Sequence, residues 1–239
     1  YYDIVFSNEI IAAGGSINAS NIFVDEAILG PEVVQRNPPL SLIEQLISLP
    51  TYKNPFHIDP TTIGAIYNTR YLNLSTVKAR GLDFGVGYKT TLLGAGIDTG
   101  IDGAYIFTFD NQFTNTAPVV SFLNTTYNPT DLKFRARAIL NYRALSGGLY
   151  INFTNAYTDN NIIPNGHVAS WTTADAVASY EFAAVGKPMG GVSVSFSVIN
   201  LTDRAPPYVA NPNGYSINYD GVNANALGRY FSLRLQKRW

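Results

Sequence analysis

The chain has 239 residues, with 16 lysines and arginines against 17 aspartates and glutamates, and its net charge of −1 leaves no electrostatic footprint for binding nucleic acid. Cysteine is absent, which excludes a disulfide framework, a cysteine-ligated zinc site and a thiol nucleophile. Only 14% of the residues are charged, against about 25% in a typical soluble domain, while 13% are aromatic, and this composition indicates a non-aqueous neighbour.

Apolar and polar residues alternate along much of the chain, which is the period of a β-strand. No stretch approaches the roughly 20 apolar residues that a transmembrane helix requires. A β-barrel reconciles this with the apolar composition, because its lipid-facing residues occupy alternate positions. The alternation predicts about eight strands, over residues 2–9, 82–88, 97–109, 132–143, 149–157, 176–182, 192–198 and 228–239.

Residues 11–71 fit the strand period least well. A helix is predicted over 39–49, which begins at a Pro-Pro pair, ends before Pro50 and places four apolar residues on one face: Leu40, Ile43, Leu46 and Ile47. We interpret the segment as a long, partly helical extracellular loop insertion. Its length indicates a functional loop or lid.

The connections between the predicted strands alternate in length. Those around 90–96, 144–148 and 183–190 are short and contain glycine, as tight hairpin turns require. Those around 110–129, 158–170 and 202–226 are long and rich in Asn, Pro and Thr. The predicted fold class is therefore all-β: an antiparallel transmembrane β-barrel segment with short periplasmic turns on one rim and long extracellular loops on the other.

The strand over 132–143 carries a basic face that includes Arg135 and Arg137. These two arginines are candidate ligand-binding residues, since they could form a basic track for an anionic ligand in the lumen. The alternative that we favour is pairing with lumenal carboxylates, because barrel interiors are generally polar. The carboxylates available for such pairing are Asp83, Asp98, Asp102, Asp175 and Glu181.

The sequence offers no constellation for catalysis or metal binding. The spacing of Asp98 and Asp102 along a strand separates them by ~13 Å, which is too far for a carboxylate dyad. His57 and His167 fall in predicted loops and have no neighbour at metal-ligand spacing. We therefore expect no catalytic residue, no metal site and no cofactor, and an enzyme is the least supported class of function.

Two stretches close the chain, VINLTDRAPPYV and NYDGVNANALGRYFSLRLQKRW. In order and spacing they resemble the end of TonB-dependent outer-membrane receptors, and the resemblance reaches more weakly to the first residues. The positions that carry it are Asn200, Leu201, Asp203, Arg204, Pro206, Pro207, Tyr219, Asp220, Asn223, Gly228, Arg229 and Trp239. The turn itself reads as structural: Asp203 can pair with Arg204, and the two prolines end the strand.

The resemblance implies that residues 1–239 are the carboxyl-terminal portion of a receptor barrel in the bacterial outer membrane, without the plug domain that precedes the barrel in this family. It implies that the parent protein imports a siderophore-iron complex or another scarce nutrient. The implied partners are outer-membrane lipid, the barrel-assembly machinery through Trp239 of the last strand, and the TonB complex only through the missing plug region.

Two alternatives come from other classes of function. The chain could be a complete small outer-membrane barrel that acts as an anchor or binding module. It could also be a soluble β-sheet carbohydrate-binding protein. No motif in the sequence distinguishes an iron chelate from a sugar as the small-molecule ligand, and no nucleic-acid partner is expected.

Three tyrosines of the last long connection complete the candidate ligand-binding set, because aromatic rings can stack on a sugar or a catecholate: Tyr208, Tyr215 and Tyr219. In the last strand, the alternation assigns three residues to the lipid face: Phe231, Leu233 and Leu235. It assigns four others to the inward face: Ser232, Arg234, Gln236 and Arg238.

Overall fold

A computed structural model of the protein describes residues 1–11, 26–53, 56–182, 191–211 and 217–237. The strands are β1 (Tyr2–Ile11), β2 (Val34–Arg36), β3 (Ala65–Tyr67), β4 (Leu72–Leu92), β5 (Ala95–Gln112), β6 (Val120–Ser121), β7 (Leu132–Tyr142), β8 (Leu145–Thr154), β9 (Tyr157–Asp159), β10 (Gly166–Val168), β11 (Trp171–Glu181), β12 (Val192–Ile199) and β13 (Tyr230–Lys237). The helices are α1 (Glu26–Leu29), α2 (Leu40–Ile47) and a 3₁₀ helix at Pro60–Thr62. None of the helices in these ranges is long and apolar enough to cross a bilayer.

The long strands form one hydrogen-bonded order, β1-β4-β5-β7-β8-β11-β12-β13, and the short β6 pairs with β5. From β5 to β13 each neighbouring pair is antiparallel. The eight strands of this order are those that the alternation predicts, so the all-β, antiparallel fold class is confirmed. Two short antiparallel hairpins, β2 with β3 and β9 with β10, stand outside the order.

Several strands extend beyond their predicted bounds, and β11 begins five residues early, at Trp171. β4 has 21 residues and begins at Leu72, and β5 has 18 residues. A membrane-crossing strand needs about 9–11 residues, so both continue past the apolar layer, where alternation is no longer required. β8 begins at Leu145, inside a predicted link, because Gly147 and Gly148 pair with β7 instead of turning the chain.

The registers divide the sheet into an apolar and a polar face, because directly opposed residues in an antiparallel ladder point to the same side. The apolar face contains Ile97, Ile101, Phe134, Leu140, Leu149, Ile151, Ala174, Val194, Phe196, Phe231, Leu233 and Leu235. The polar face contains Asp98, Asp102, Arg135, Arg137, Tyr150, Asn152, Asp175, Ser195, Ser232, Arg234 and Gln236. Leu233 and Leu235 are 66% and 69% exposed, as expected of residues that meet lipid. The faces assigned to the last strand are found from Phe231 to Gln236, and Arg238 and Trp239 lie outside the described residues.

Short and long connections alternate along the order of strands. Leu93 and Gly94, with φ of 53° and 80°, join β4 to β5, and glycine takes this left-handed conformation without strain. Arg143 and Ala144 join β7 to β8. The predicted short link at 183–190 lies outside the described residues. The long connections cover 113–131, 155–170 and 200–229.

The chain divides into two compact units. Unit 1 comprises Tyr1–Tyr2, Arg80–Thr108 and Phe122–Trp239, and unit 2 comprises Asp3–Ala79 and Phe109–Ser121. The described core of unit 1 is a cluster in the long connections, Tyr157, Val168 and Val209. The buried apolar residues of unit 2 include Leu29, Val33, Val34, Ile43 and Phe113. Burial is therefore concentrated outside the long strands, whose apolar face stays open.

Candidate functional site

Arg137 of β7 is held between two aspartates of β5 on the polar face. Its Nη1 donates to Asp102 Oδ2 at 2.6 Å, and its Nε lies 3.4 Å from Asp98 Oδ1. Lys89 of β4 also approaches Asp98, with 3.2 Å between Nζ and Oδ2. The register explains the fit, since Arg137 lies opposite Gly100 and a Cβ there would stand 2.8 Å from the guanidinium carbon. The missing side chain leaves room for the arginine.

Arg135, on the same face of β7, is more open. Its Nη2 lies 3.8 Å from Asp175 Oδ2, and its guanidinium carbon lies 4.4 Å from the centre of the Tyr150 ring. The Arg135 side chain is 55% exposed, against 28% for Arg137. An exposed ion pair of this kind is weak, so a ligand could compete for the Arg135 guanidinium.

Asp175 connects β11 to its neighbours. Its Oδ2 accepts a hydrogen bond from Asn152 Nδ2 of β8, and its Oδ1 accepts one from the Asn200 backbone N–H, both at 2.9 Å. We call the set Lys89, Asp98, Asp102, Arg135, Arg137 and Asp175 the charged lane. The lane shows the pairing of arginines with lumenal carboxylates that the sequence favours over an uncompensated basic track.

The turn after β12 and the start of β13 meet in a group that we call the turn clasp: Asn200, Asp203, Arg204, Gly228 and Arg229. The Asn200 side chain accepts from the Arg204 N–H at 2.9 Å and donates to the Arg204 carbonyl at 3.0 Å. The expected pairing of Asp203 with Arg204 is wrong. Asp203 Oδ1 instead accepts from the Arg229 backbone N–H at 2.7 Å, and Arg204 Nη2 donates to the Ser170 carbonyl at 3.5 Å. Asp203 has a φ of 53°, in the left-handed region.

Gly228→Ala is expected to destabilise the protein by about 1–2 kcal/mol, because Gly228 has a φ of 65°, which disfavours any side chain. The added Cβ would also lie 3.1 Å from Asp203 Oδ1 and crowd its bond to Arg229. Gly221→Ala is the matched control, since a Cβ there meets no atom within 4 Å. Urea unfolding in lipid vesicles measures both. Equal stability of the two variants would contradict the role of the clasp.

Asp220 is fully buried and binds residues of three connections within unit 1. Its Oδ2 accepts from the Tyr127 backbone N–H at 2.9 Å and from Asn223 Nδ2 at 2.7 Å. Its Oδ1 accepts from the Val222 N–H at 2.8 Å, and the Tyr157 hydroxyl also hydrogen bonds to Asp220. The carboxylate thereby joins all three long connections, 113–131, 155–170 and 200–229.

Asp159 makes a second junction between the same connections. Its Oδ2 accepts from the Ala210 N–H at 2.7 Å, while Oδ1 accepts from the Asn161 N–H at 3.1 Å and from Thr126 Oγ1 at 3.4 Å. We call Asp159, Asp220 and the residues bonded to them the loop cluster. The sequence contains Asp220 and Asn223 in the receptor-like motif, but it does not indicate Asp159 or Tyr127, because their partners lie on other connections.

The tyrosines proposed from the sequence lie in different surroundings. Tyr208 is 69% exposed, whereas Tyr219 is half-buried. Their segments are adjacent, because the Val209 N–H donates to the Asn218 carbonyl at 3.1 Å. Tyr215 lies outside the described residues. Tyr208 and Tyr219 thus remain together as candidates on one connection, and Arg135 and Arg137 remain together on one strand face.

Burial raises the pKa of Tyr157 and of Tyr127, and the nearby Asp220 carboxylate raises each further. Because both folded-state pKa values exceed the ordinary value of 10.0, the folded loop cluster holds these protons where the unfolded chain releases them. The stabilisation is therefore complete below pH 10 and is lost as the pH rises through the folded-state values.

Titration of tyrosinate absorbance is expected to show a late component in the wild-type protein. Tyr157→Phe should remove part of this component. A single early titration of all tyrosines would contradict the burial of the loop cluster.

A family model described as "TonB dependent receptor-like, beta-barrel" matches residues 1–201. Among solved structures, the chain is similar to the FrpB iron transporter from Neisseria meningitidis (F3-3 variant), with 17% sequence identity and a TM-score of 0.41. The similarity covers 70% of this chain and 24% of that chain, so this chain spans about a quarter of that structure. A search of curated proteins gives no significant match.

Proposed function

Because the chain belongs to the TonB-dependent receptor β-barrel family, which lies in the bacterial outer membrane, we propose that it is part of the wall of a receptor that imports a siderophore-iron complex or another scarce nutrient. The observation that supports the proposal is the division of one sheet into an exposed apolar face and a charged face. A transmembrane strand requires this division, since alternate residues meet lipid and lumen. The family's location in the outer membrane also leaves the soluble carbohydrate-binding alternative without support.

The proposed place of the chain is the carboxyl-terminal part of the barrel, with the plug and its contact with the TonB complex supplied elsewhere in the parent protein. The alternative is a complete small barrel that serves as an anchor or binding module. The gene sequence upstream of Tyr1 distinguishes the two, since a plug domain encoded there establishes the receptor. The contact of the barrel-assembly machinery with Trp239 stays a proposal, because Trp239 lies outside the described residues.

Growth of a strain that lacks the gene tests the transport function. The strain should grow poorly on at least one source in a panel of iron complexes and carbohydrates supplied at limiting concentration, and the wild-type gene should restore growth. Iron complexes are included because a siderophore-iron complex is one proposed cargo, and carbohydrates because no motif in the sequence distinguishes an iron chelate from a sugar. Normal growth on every source of the panel would count against an import role.

Within the site, we propose that Arg135 contacts the ligand, together with Tyr208 and Tyr219. Arg137 instead stabilises the barrel wall through its ion pairs. The exposure of Arg135 and its single long ion pair support this division, since Arg137 is already engaged by two aspartates. Arg135→Gln should reduce growth on the source identified above. Arg143→Gln is the matched control, because Arg143 is an exposed arginine in the short turn after β7. Equal growth of the two variants would overturn the assignment.

A further inference from the structure

A groove of about 390 Å³ opens on the apolar face of unit 1, at the end of the sheet that carries the long connections. Its floor includes Ile151 and Ala174, which are directly opposed in the β8–β11 ladder. Thr172 and Thr202 add hydroxyl groups, and Arg204 of the turn clasp lines the same groove. A guanidinium therefore stands where an apolar strand surface meets the extracellular loops.

A second guanidinium of the turn clasp comes from Arg229. Arg229 Nη1 donates to the Leu201 carbonyl at 3.4 Å, and Arg229 comes directly before β13. Both arginines are exposed. The carboxylate of the turn is Asp203, which is engaged by the Arg229 backbone N–H. Two guanidinium groups against one carboxylate leave this corner of the apolar face with a net positive charge.

We propose that this corner binds the phosphorylated headgroup of an outer-leaflet lipid. Arginine forms paired, charge-assisted hydrogen bonds to phosphate, and threonine hydroxyls can donate to the remaining oxygens. The apolar floor of the groove suits an acyl chain that lies against the strands, so the groove matches both ends of an anionic amphiphile. A soluble anion would use only the charged part. The proposal depends on the outer-membrane location and is independent of the transported ligand.

The test uses the full-length protein in neutral detergent and native mass spectrometry with three probes. These are a hexa-acylated, bisphosphorylated lipid A, the same lipid without its phosphates, and inorganic phosphate. The wild-type protein is expected to prefer the phosphorylated lipid over the other two probes by at least about tenfold, since a charge-assisted contact exceeds the free energy of one decade in affinity. Equal binding of the two lipids, or equal binding of inorganic phosphate, would overturn the proposal.

Substitutions of the two arginines test whether they bind the lipid headgroup. Arg204→Gln combined with Arg229→Gln should abolish the preference. Arg204→Lys combined with Arg229→Lys should retain part of it, because lysine keeps the charge but cannot form the paired hydrogen bonds. Arg143→Gln, in a short turn, should have no effect. Arg204→Gln alone changes one long hydrogen bond to the Ser170 carbonyl, so it keeps the test valid if the double variant does not fold. Heat-modifiable migration on gels reports folding, and an undiminished preference in a folded Arg204→Gln variant would refute the assignment.

Discussion

Asp220→Ala is expected to loosen the loop cluster by about 3 kcal/mol, because the change leaves several buried or half-buried donors without an acceptor. These donors are the backbone N–H groups of Tyr127 and Val222, the side-chain amide of Asn223 and the Tyr157 hydroxyl. Each unsatisfied buried donor costs about 1–3 kcal/mol, and water that enters the opened cluster recovers part of the total. Hydrogen exchange at the Tyr127 and Val222 amides of the full-length protein measures the loss.

The matched control is Asn225→Ala, which removes one exposed hydrogen bond from the Leu227 N–H to the Asn225 side chain on the same connection. We expect this variant to change exchange at Tyr127 by less than about 0.5 kcal/mol. Unchanged protection of the Tyr127 amide in Asp220→Ala would show that the carboxylate does not hold the three connections together. The effect concerns the extracellular loops, so the membrane-spanning strands should unfold with nearly unchanged stability.

Leu233→Arg is expected to destabilise the protein by about 2–4 kcal/mol, the cost of a cation on the lipid face near the bilayer midplane. Leu233 lies midway along β13, opposite Phe196, and is 66% exposed on the apolar face. Leu235→Arg should cost less, because Leu235 lies nearer the end of the strand and beside the cationic region at Lys237. Urea unfolding in lipid vesicles measures both variants.

Ser232→Arg is the matched control, because it places the same cation at nearly the same position along β13 but on the polar face. Ser232 is adjacent to Leu233 but belongs to the polar face, opposite Ser197. The same face already accommodates Arg234, opposite Ser195. We therefore expect Ser232→Arg to cost less than about 1 kcal/mol, a cost typical of a surface substitution. Comparable destabilisation by Ser232→Arg and Leu233→Arg would contradict the assignment of lipid and lumenal faces.

The two units differ in how clearly the sequence pattern predicts their structure. In unit 1, alternate residues of each long strand meet different surroundings, so the pattern is strong. In unit 2, the buried residues Leu29, Val33 and Ile43 come from short helices and their flanks, where no long period develops. The helix over 39–49 could be predicted because its apolar spacing is local. The short strands β2 and β3 could not, since three residues are too few to establish a period.

The sequence by itself determined the eight strands of the main order, the faces of those strands and the alternation of short and long connections. It could do so because a side chain's direction along a strand depends only on its immediate neighbours, as in β7 and β13. Only the tertiary structure decided which charges meet: the ladder between β5 and β7 brings Arg137 to Asp98 and Asp102, and the turn clasp replaces the expected pair of Asp203 with Arg204. The role of Asp220 likewise depends on tertiary contacts. Its partner Tyr127 lies 93 residues away, and local sequence preferences do not predict such a contact.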